Sequence, residues 1–300
     1  MMSDGALLCV GQAALDHVFR IEQFSAAGGK AVASEQDSRI GGMAARAALA
    51  AHSLRRPGWG TDIRLLSAVG DDAAGKLLQR ALRAKGLDVA CVSGARTPVS
   101  AVLVDARGDR QVTNFRGDAL QRARLPELPC AVHGVLVDPR WPEAATQALA
   151  HARRLGVPAV LDADVADTAV LRRLVPLVGW CVFSHGGLSA WAGELVVAPC
   201  AALERAAQAA PHAELLVTLG GDGALWRRHD GRMQALPAMR VEVHDTTGAG
   251  DVMHGALLLA LAEGQPAEQA VRFAMTAATL ACRGATPART EIDQLMGAAA

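Results

Sequence analysis

Short apolar runs bounded by turn residues alternate with longer helical patterns along most of this sequence, and few architectures satisfy that order. The runs at residues 7–10, 63–69, 132–137, 159–161, 180–183 and 215–218 read as buried strands. Between them, 43–54, 74–84, 143–155 and 201–209 read as helices. Two long helices, 249–263 and 267–282, close the chain around the stop and restart signals Gly264 and Pro266. Strand and helix in turn dictate βαβ units, hence an α/β fold whose mostly parallel sheet is covered by helices. One stretch breaks the order: residues 99–104, a turn at Arg107-Gly108 and residues 110–115 read as a hairpin with no helix to cover it. Residues 18–24 and 30–40 have the same extended character. Together these form either a small β lid, about 18–40 and 98–116, or an antiparallel extension of the main sheet. No repeat or low-complexity linker divides the chain, so a single domain over 1–300 is expected.

Composition narrows the partners. The 30 Lys and Arg balance 30 Asp and Glu to a formal net charge of +0, which argues against nucleic acid or an anionic membrane surface as partner. With 51% hydrophobic residues the chain can bury a large core. Its longest strongly apolar stretch, 256–262, falls far short of the ~20 residues of a membrane span. The first ten residues lack the basic region of a secretory signal. Six scattered cysteines with no Cys-x-x-Cys pair read as free thiols of a reducing compartment, so a cytoplasmic location is expected.

The most informative run is Asp245-Thr246-Thr247-Gly248-Ala249-Gly250-Asp251, which leads directly into an apolar helix. Glycines at a helix start let free N–H groups approach an anion while the helix dipole favours negative charge there. Asp251 falls in the first turn, where the dipole is expected to keep it ionised. A carboxylate repels phosphate and adds nothing to simple anion binding, but it suits a base that takes a proton from an attacking hydroxyl. The bland alternative is a helix cap with glycines serving close packing.

This run resembles the C-terminal signature of the ribokinase, or PfkB, family of carbohydrate kinases. Gly41-Gly42 lies where that family has its N-terminal glycine pair. Gly70-Asp71-Asp72 with Gly75, then Thr218-Leu219-Gly220-Gly221-Asp222-Gly223, match further family features in order, over roughly residues 5 to 290. The resemblance implies a ribokinase-like three-layer αβα core with a small β lid, and transfer of the γ-phosphoryl group of ATP to a sugar hydroxyl. It implies Asp251 as base, with the segment Gly248, Ala249 and Gly250 and the amides of Ala249, Gly250 and Asp251 around the transferring phosphoryl. Thr218, Gly220, Gly221, Gly223 and Gly250 would hold the nucleotide. Mg²⁺ is implied by the nucleotide rather than by a protein cage. A monovalent cation such as K⁺ is expected near Asp245 and Thr247, since hard oxygens suit it. Gly70 to Lys76 also fits the P-loop spacing, yet Leu77 replaces the magnesium-binding hydroxyl and two aspartates would repel phosphate, so it is not read as one.

On the substrate side, Asp16, Gly41 and Gly42 match the family positions that meet the sugar. Lys30, Asn114 and Arg140 have surroundings similar to those in sulfofructose kinases, a PfkB branch, where the corresponding residues bind a sulfonate-bearing sugar; ketohexokinases share the Arg-Trp element. The resemblance therefore implies an ATP-dependent sugar kinase acting on a primary hydroxyl, best on a ketose or anionic ketose such as 6-deoxy-6-sulfofructose at C1. Fructose, ribose, a nucleoside or a keto-deoxy sugar acid stay open, as does a nucleotide-binding sensor that has lost turnover. A homodimer through the lid is a further expectation. Two departures stand out. Arg46 replaces the family's sugar-binding Asn, and Ser184-His185-Gly186-Gly187 replaces an Asn-x-x-Glu element, so its carboxylate is missing.

Overall fold

The computed structural model describes residues 5–26 and 28–298. In chain order the first elements are β1 (Gly5–Val10), β2 (Ala14–Ile21), β3 (Ala33–Gly41), α1 (Met43–Leu54), β4 (Thr61–Leu66), β5 (Ala68–Gly70), α2 (Ala73–Arg83), β6 (Ala90–Val92), β7 (Val99–Val104) and β8 (Arg110–Phe115). There follow α3 (Ala119–Arg122), β9 (Val132–Val137), α4 (Pro142–Leu155), β10 (Ala159–Ala163), α5 (Thr168–Leu174), β11 (Trp180–Ser184), α6 (His185–Ala192) and α7 (Pro199–Ala209). The chain ends with β12 (Glu214–Thr218), β13 (Ala224–Arg227), β14 (Met233–Leu236), α8 (Ala249–Ala262), α9 (Ala267–Ala281) and α10 (Arg289–Ala298).

The main sheet has the order β14-β13-β12-β11-β10-β9-β1-β4. All its pairings are parallel except those of β13 and β14. Period-two alternation explains how its strands are buried on both faces. Leu8 and Val10 of β1 pack with α4 to α7, while Leu7 and Cys9 pack with α1, α8 and α9. This is the three-layer α/β architecture. No described helix is long and apolar enough to cross a membrane.

The hairpin belongs to a separate four-stranded sheet of order β3-β2-β7-β8, so the reading as an extension of the main sheet is corrected. β2 and β3 also start and stop elsewhere than expected, at Ala14–Ile21 and Ala33–Gly41. All six residues of β8 are exposed, and six of nine in β3, because no helix covers that face. The expected strand at 63–69 is two: Ser67 ends β4, its hydroxyl accepting from the Ala13 amide at 3.0 Å, and β5 pairs with β6 instead. The false P-loop is structural. Asp72 caps α2 by accepting from the Gly75 amide at 2.9 Å and takes the Thr97 hydroxyl at 2.6 Å.

The helices α1 and α8 position the functional end of the molecule. α1 buries Ala44, Ala45, Ala47, Ala48, Ala50 and Ala51. α8 lies so close to it that a Cβ at Gly255 would overlap the Ala47 carbonyl. Small residues on both sides let the axes approach and bring the two helix N-termini together at the carboxyl ends of the strands.

Candidate active site

α8 begins at Gly248, whose φ of 78° is left-handed and suits a residue without a side chain. The Ala249 amide turns back to the Thr246 carbonyl at 3.3 Å, and helical bonding resumes with Val252 donating to Gly248 at 2.9 Å. The amides of Gly250 and Asp251 lie between and keep the first-turn freedom that an anion can use. A Cβ at Gly250 would meet nothing within 4 Å, so the space before this helix end is open.

Two cavities meet across this point. One, of about 450 Å³, lies between α1, the strand ends and the small sheet. Asp251 lines it with Asp16, Gly42, Asn114, Asp164 and the guanidinium groups of Arg46, Arg110, Arg116 and Arg140. The other, of about 550 Å³, is lined by Thr218, Gly220, Gly221, Gly223, Ala249 and Gly250 and walled by apolar groups including Met239, Met253 and Met275. Adjacent residues of one helix turn thus face different cavities.

The acceptor-side cavity is fixed by buried polar groups. Asp138, fully buried at the end of β9, accepts from the amides of Gln12 at 2.7 Å, Ala44 at 3.1 Å and Arg140 at 2.8 Å. It joins the end of β1, the start of α1 and the Arg140 loop. Asp16, on β2, lies against Gly41 so closely that a Cβ there would overlap its carboxylate, which explains the glycine. Asn114 lies on β8 opposite Ser100 and lines the cavity. Lys30 is exposed and is not among the lining residues, so it is not brought together with Asn114 and Arg140.

Burial changes the expectation for Asp251. Its carboxyl is pushed well above the usual carboxylate range, mainly by desolvation and then by Asp162; Arg46, 3.8 Å away, pulls the other way. Behind it His254 and Asp162 are buried, with Nδ1 of His254 3.3 Å from Oδ2 of Asp162 and Nε2 3.2 Å from the Val182 carbonyl. The ring bonds through Nε2 to the Val182 carbonyl, while Nδ1 of His254 and Oδ2 of Asp162 lie close without a hydrogen bond between them. Desolvation lowers the proton affinity of the His254 ring and raises that of the Asp162 carboxyl, which the nearby Asp164 and Asp138 raise further. Nothing in the sequence spacing of His254 and Asp162 signals this closeness.

The departure at Ser184–Gly187 has a physical reason. A side chain at Gly187 would overlap the Ala163 carbonyl, so no glutamate can stand there. Ser184 caps α6 through the Gly187 amide at 2.9 Å and donates to Asp164 at 2.6 Å, which holds a different carboxylate in the cavity. Near Asp245 the chain supplies its own cations. Arg39 lies 3.4 Å from the carboxylate, and Arg110 donates to the hydroxyls of Thr247 at 2.6 Å and Thr246 at 2.5 Å.

On the nucleotide side, Gly220 and Gly223 have φ of 61° and 90°. The Leu219 amide meets the Gly223 carbonyl at 2.8 Å, so the turn is tight. A Cβ at Gly220 or Gly221 would meet nothing within 4 Å, leaving backbone donors accessible in front of an apolar pocket. That combination fits a phosphate chain joined to a nucleobase.

Comparisons with known proteins agree with this geometry. The chain is 28% identical to a ribokinase of Arabidopsis thaliana over 94% of its own length and 77% of the relative's. It is 26% identical to a ribokinase of Bacillus subtilis over 96% and 99%. A crystal structure from Agrobacterium tumefaciens, provisionally named a ribokinase, superposes with a TM-score of 0.89 at 34% identity, covering 98% of each chain. An Arabidopsis thaliana ribokinase structure, complexed with ribose and ATP, shares the fold at a TM-score of 0.79 and 23% identity, covering 97% of this chain and 98% of that one. The family description "pfkB family carbohydrate kinase" matches residues 5–292, and the chain belongs to that family.

Proposed function

We propose that this ATP-dependent carbohydrate kinase phosphorylates a primary hydroxyl of a small ketose that carries an anionic group, with 6-deoxy-6-sulfofructose at C1 as the first candidate. The observation that carries the reading is the acceptor-side cavity, where Arg46, Arg110, Arg116 and Arg140 surround Asp16, Asp164 and Asp251. Four guanidinium groups face three carboxylates there, so positive charge is in excess even with Asp251 ionised. A neutral sugar would leave the Arg116 and Arg140 guanidinium groups without an anion; a sulfonate, phosphate or carboxylate can take parallel N–H donors from a guanidinium.

In this reading Asp16 accepts from sugar hydroxyls over the bare backbone of Gly41 and Gly42. Arg140 and Asn114 take the anionic group, and exposed Lys30 reaches it only if its segment moves inward. Asp251 removes the proton of the attacking hydroxyl, while the amides of Gly250 and Asp251 steady the phosphoryl group. The turn from Thr218 to Gly223 holds the nucleotide. The small sheet serves as a lid that excludes water, which otherwise competes as acceptor; its uncovered faces also suit a homodimer. Magnesium enters this reading as an ion carried by nucleotide phosphates and water, where it would neutralise charge. A monovalent ion at Asp245 is not required for neutrality, since Arg39 already faces that carboxylate.

The test is release of ADP over a panel of neutral and anionic ketoses, pentoses and nucleosides. Highest kcat/KM on an anionic ketose is expected. Preference for ribose or a nucleoside would reject the substrate class, and no turnover on any sugar would favour the sensor.

A further inference from the structure

Arg46 has no assigned part in the proton and phosphoryl transfer at Asp251. Its side chain is only 21% exposed, and among the described residues none of its N–H groups makes a protein hydrogen bond; the nearest charge, Asp251, is 3.8 Å away and outside hydrogen-bond reach. A largely buried guanidinium with free donors is a group waiting for an anion.

Its position says which anion. The guanidinium lies against Gly248, so that a Cβ there would come within 2.8 Å of its carbon. It therefore stands beside the free amides at the start of α8, next to the base, where the reacting hydroxyl and phosphorus must meet. An anionic substituent on another carbon of the sugar lies away from that point. Its helix is also fixed in place: the Ala44 amide donates to buried Asp138, and Ala47 packs on Gly255. A donor held in place before the reaction costs little reorganisation during it.

We propose that Arg46 is a catalytic arginine built into this chain, which stabilises the charge of the phosphoryl group during transfer and strengthens its hold as Asp251 becomes neutral. In the step, the sugar hydroxyl proton passes to Asp251 and the hydroxyl oxygen bonds to the γ-phosphorus. The bond from that phosphorus to the bridging oxygen breaks, and its electron pair leaves with ADP. Before transfer Arg46 is shared with an ionised Asp251; after the proton arrives, its N–H groups turn wholly to the phosphoryl oxygens. The interaction is stronger in the transition state than in the ground state, which is the condition for raising kcat.

The inference rests on the kinase reading, and the experiment separates the two. Affinity for ADP is measured by calorimetry with and without aluminium fluoride and magnesium, in wild type, Arg46→Gln and Arg46→Lys, alongside kcat and KM on the preferred sugar. Fluoride should tighten ADP binding in the wild type but not in Arg46→Gln, with ADP alone bound within about threefold in both. The kcat of Arg46→Gln should fall about 100-fold, the usual loss for one transition-state donor, and Arg46→Lys should recover part of it. Equal tightening in wild type and Arg46→Gln, or a raised sugar KM with unchanged kcat, overturns the proposal. A wild-type chain that binds no ADP refutes the kinase reading itself.

Discussion

The cavities on either side of α8 are built on opposite principles. The nucleotide side is shaped largely by what is absent: Gly220, Gly221, Gly223 and Gly250 expose backbone, apolar side chains such as methionine, alanine and valine line most of the rest, and Arg240 is, among the described residues, its one charged lining residue. The acceptor side is shaped by charge, with four arginines and three aspartates contributed from both layers. A cavity of bare backbone and apolar wall accepts one kind of ligand by shape, whereas a cavity of placed charges can be retuned one residue at a time. On the proposed reading, the nucleotide side sets the donor and the acceptor side sets what this kinase phosphorylates.

If that contrast is right, the acceptor side fails when a charge is removed and the nucleotide side when a methyl is added. Arg140→Ala should raise the apparent KM for an anionic ketose by about 10- to 100-fold, as expected for losing charge-assisted hydrogen bonds of about 1.5–3 kcal/mol. A neutral ketose should change less than about twofold, whereas a uniform rise in steady-state assays would remove Arg140 from the anion site.

Gly223→Ala acts on the other side. Its added Cβ would overlap the Leu236 carbonyl at a φ of 90°, so the turn must shift. The KM for ATP should rise about tenfold with the sugar KM unchanged, on the order of 1.4 kcal/mol; an altered sugar KM alone would invert the assignment. Gly255→Val tests the frame that joins the sides by wedging α1 from α8, and chemical denaturation should show a loss of about 1–3 kcal/mol.

The smallest effect concerns stability. A carboxyl whose folded pKa is raised costs stability as pH climbs from the unfolded value of about 4 through the folded one. Asp251 is such a group, so Asp251→Asn should melt a few degrees higher at neutral pH and show no gain in acid. Stabilisation that persists below pH about 4 would mean that burial is not the cause.

The same contrast governs how much the sequence disclosed. Glycine in a turn or at a helix start has a local cause, so the turn at Gly220 and Gly223 and the helix start after Gly248 are legible from neighbouring residues. Alternation also placed β1, β9, α1 and α8 well, because buried strands and close-packed helices leave a strict pattern. The acceptor side is assembled across the chain. Asp138 ties Gln12 to Ala44 over sequence separations that no local pattern reports, and the closeness of His254 to Asp162 follows only from how α8 lies on the sheet. Lys30 shows the converse: a persuasive local setting did not bring it to the cavity. Gly187 teaches that a missing carboxylate can be a packing requirement, with Asp164 held by Ser184 in the space instead.

The claim on which the rest depends is that Asp251 removes the acceptor's proton at the junction of the two cavities. A rapid-quench single turnover, with ATP prebound at equal occupancy in wild type and Asp251→Ala, measures this directly. The account predicts a transfer rate about 10³-fold slower in the variant with ATP affinity within about threefold. Transfer at the wild-type rate from the same bound ATP would contradict it.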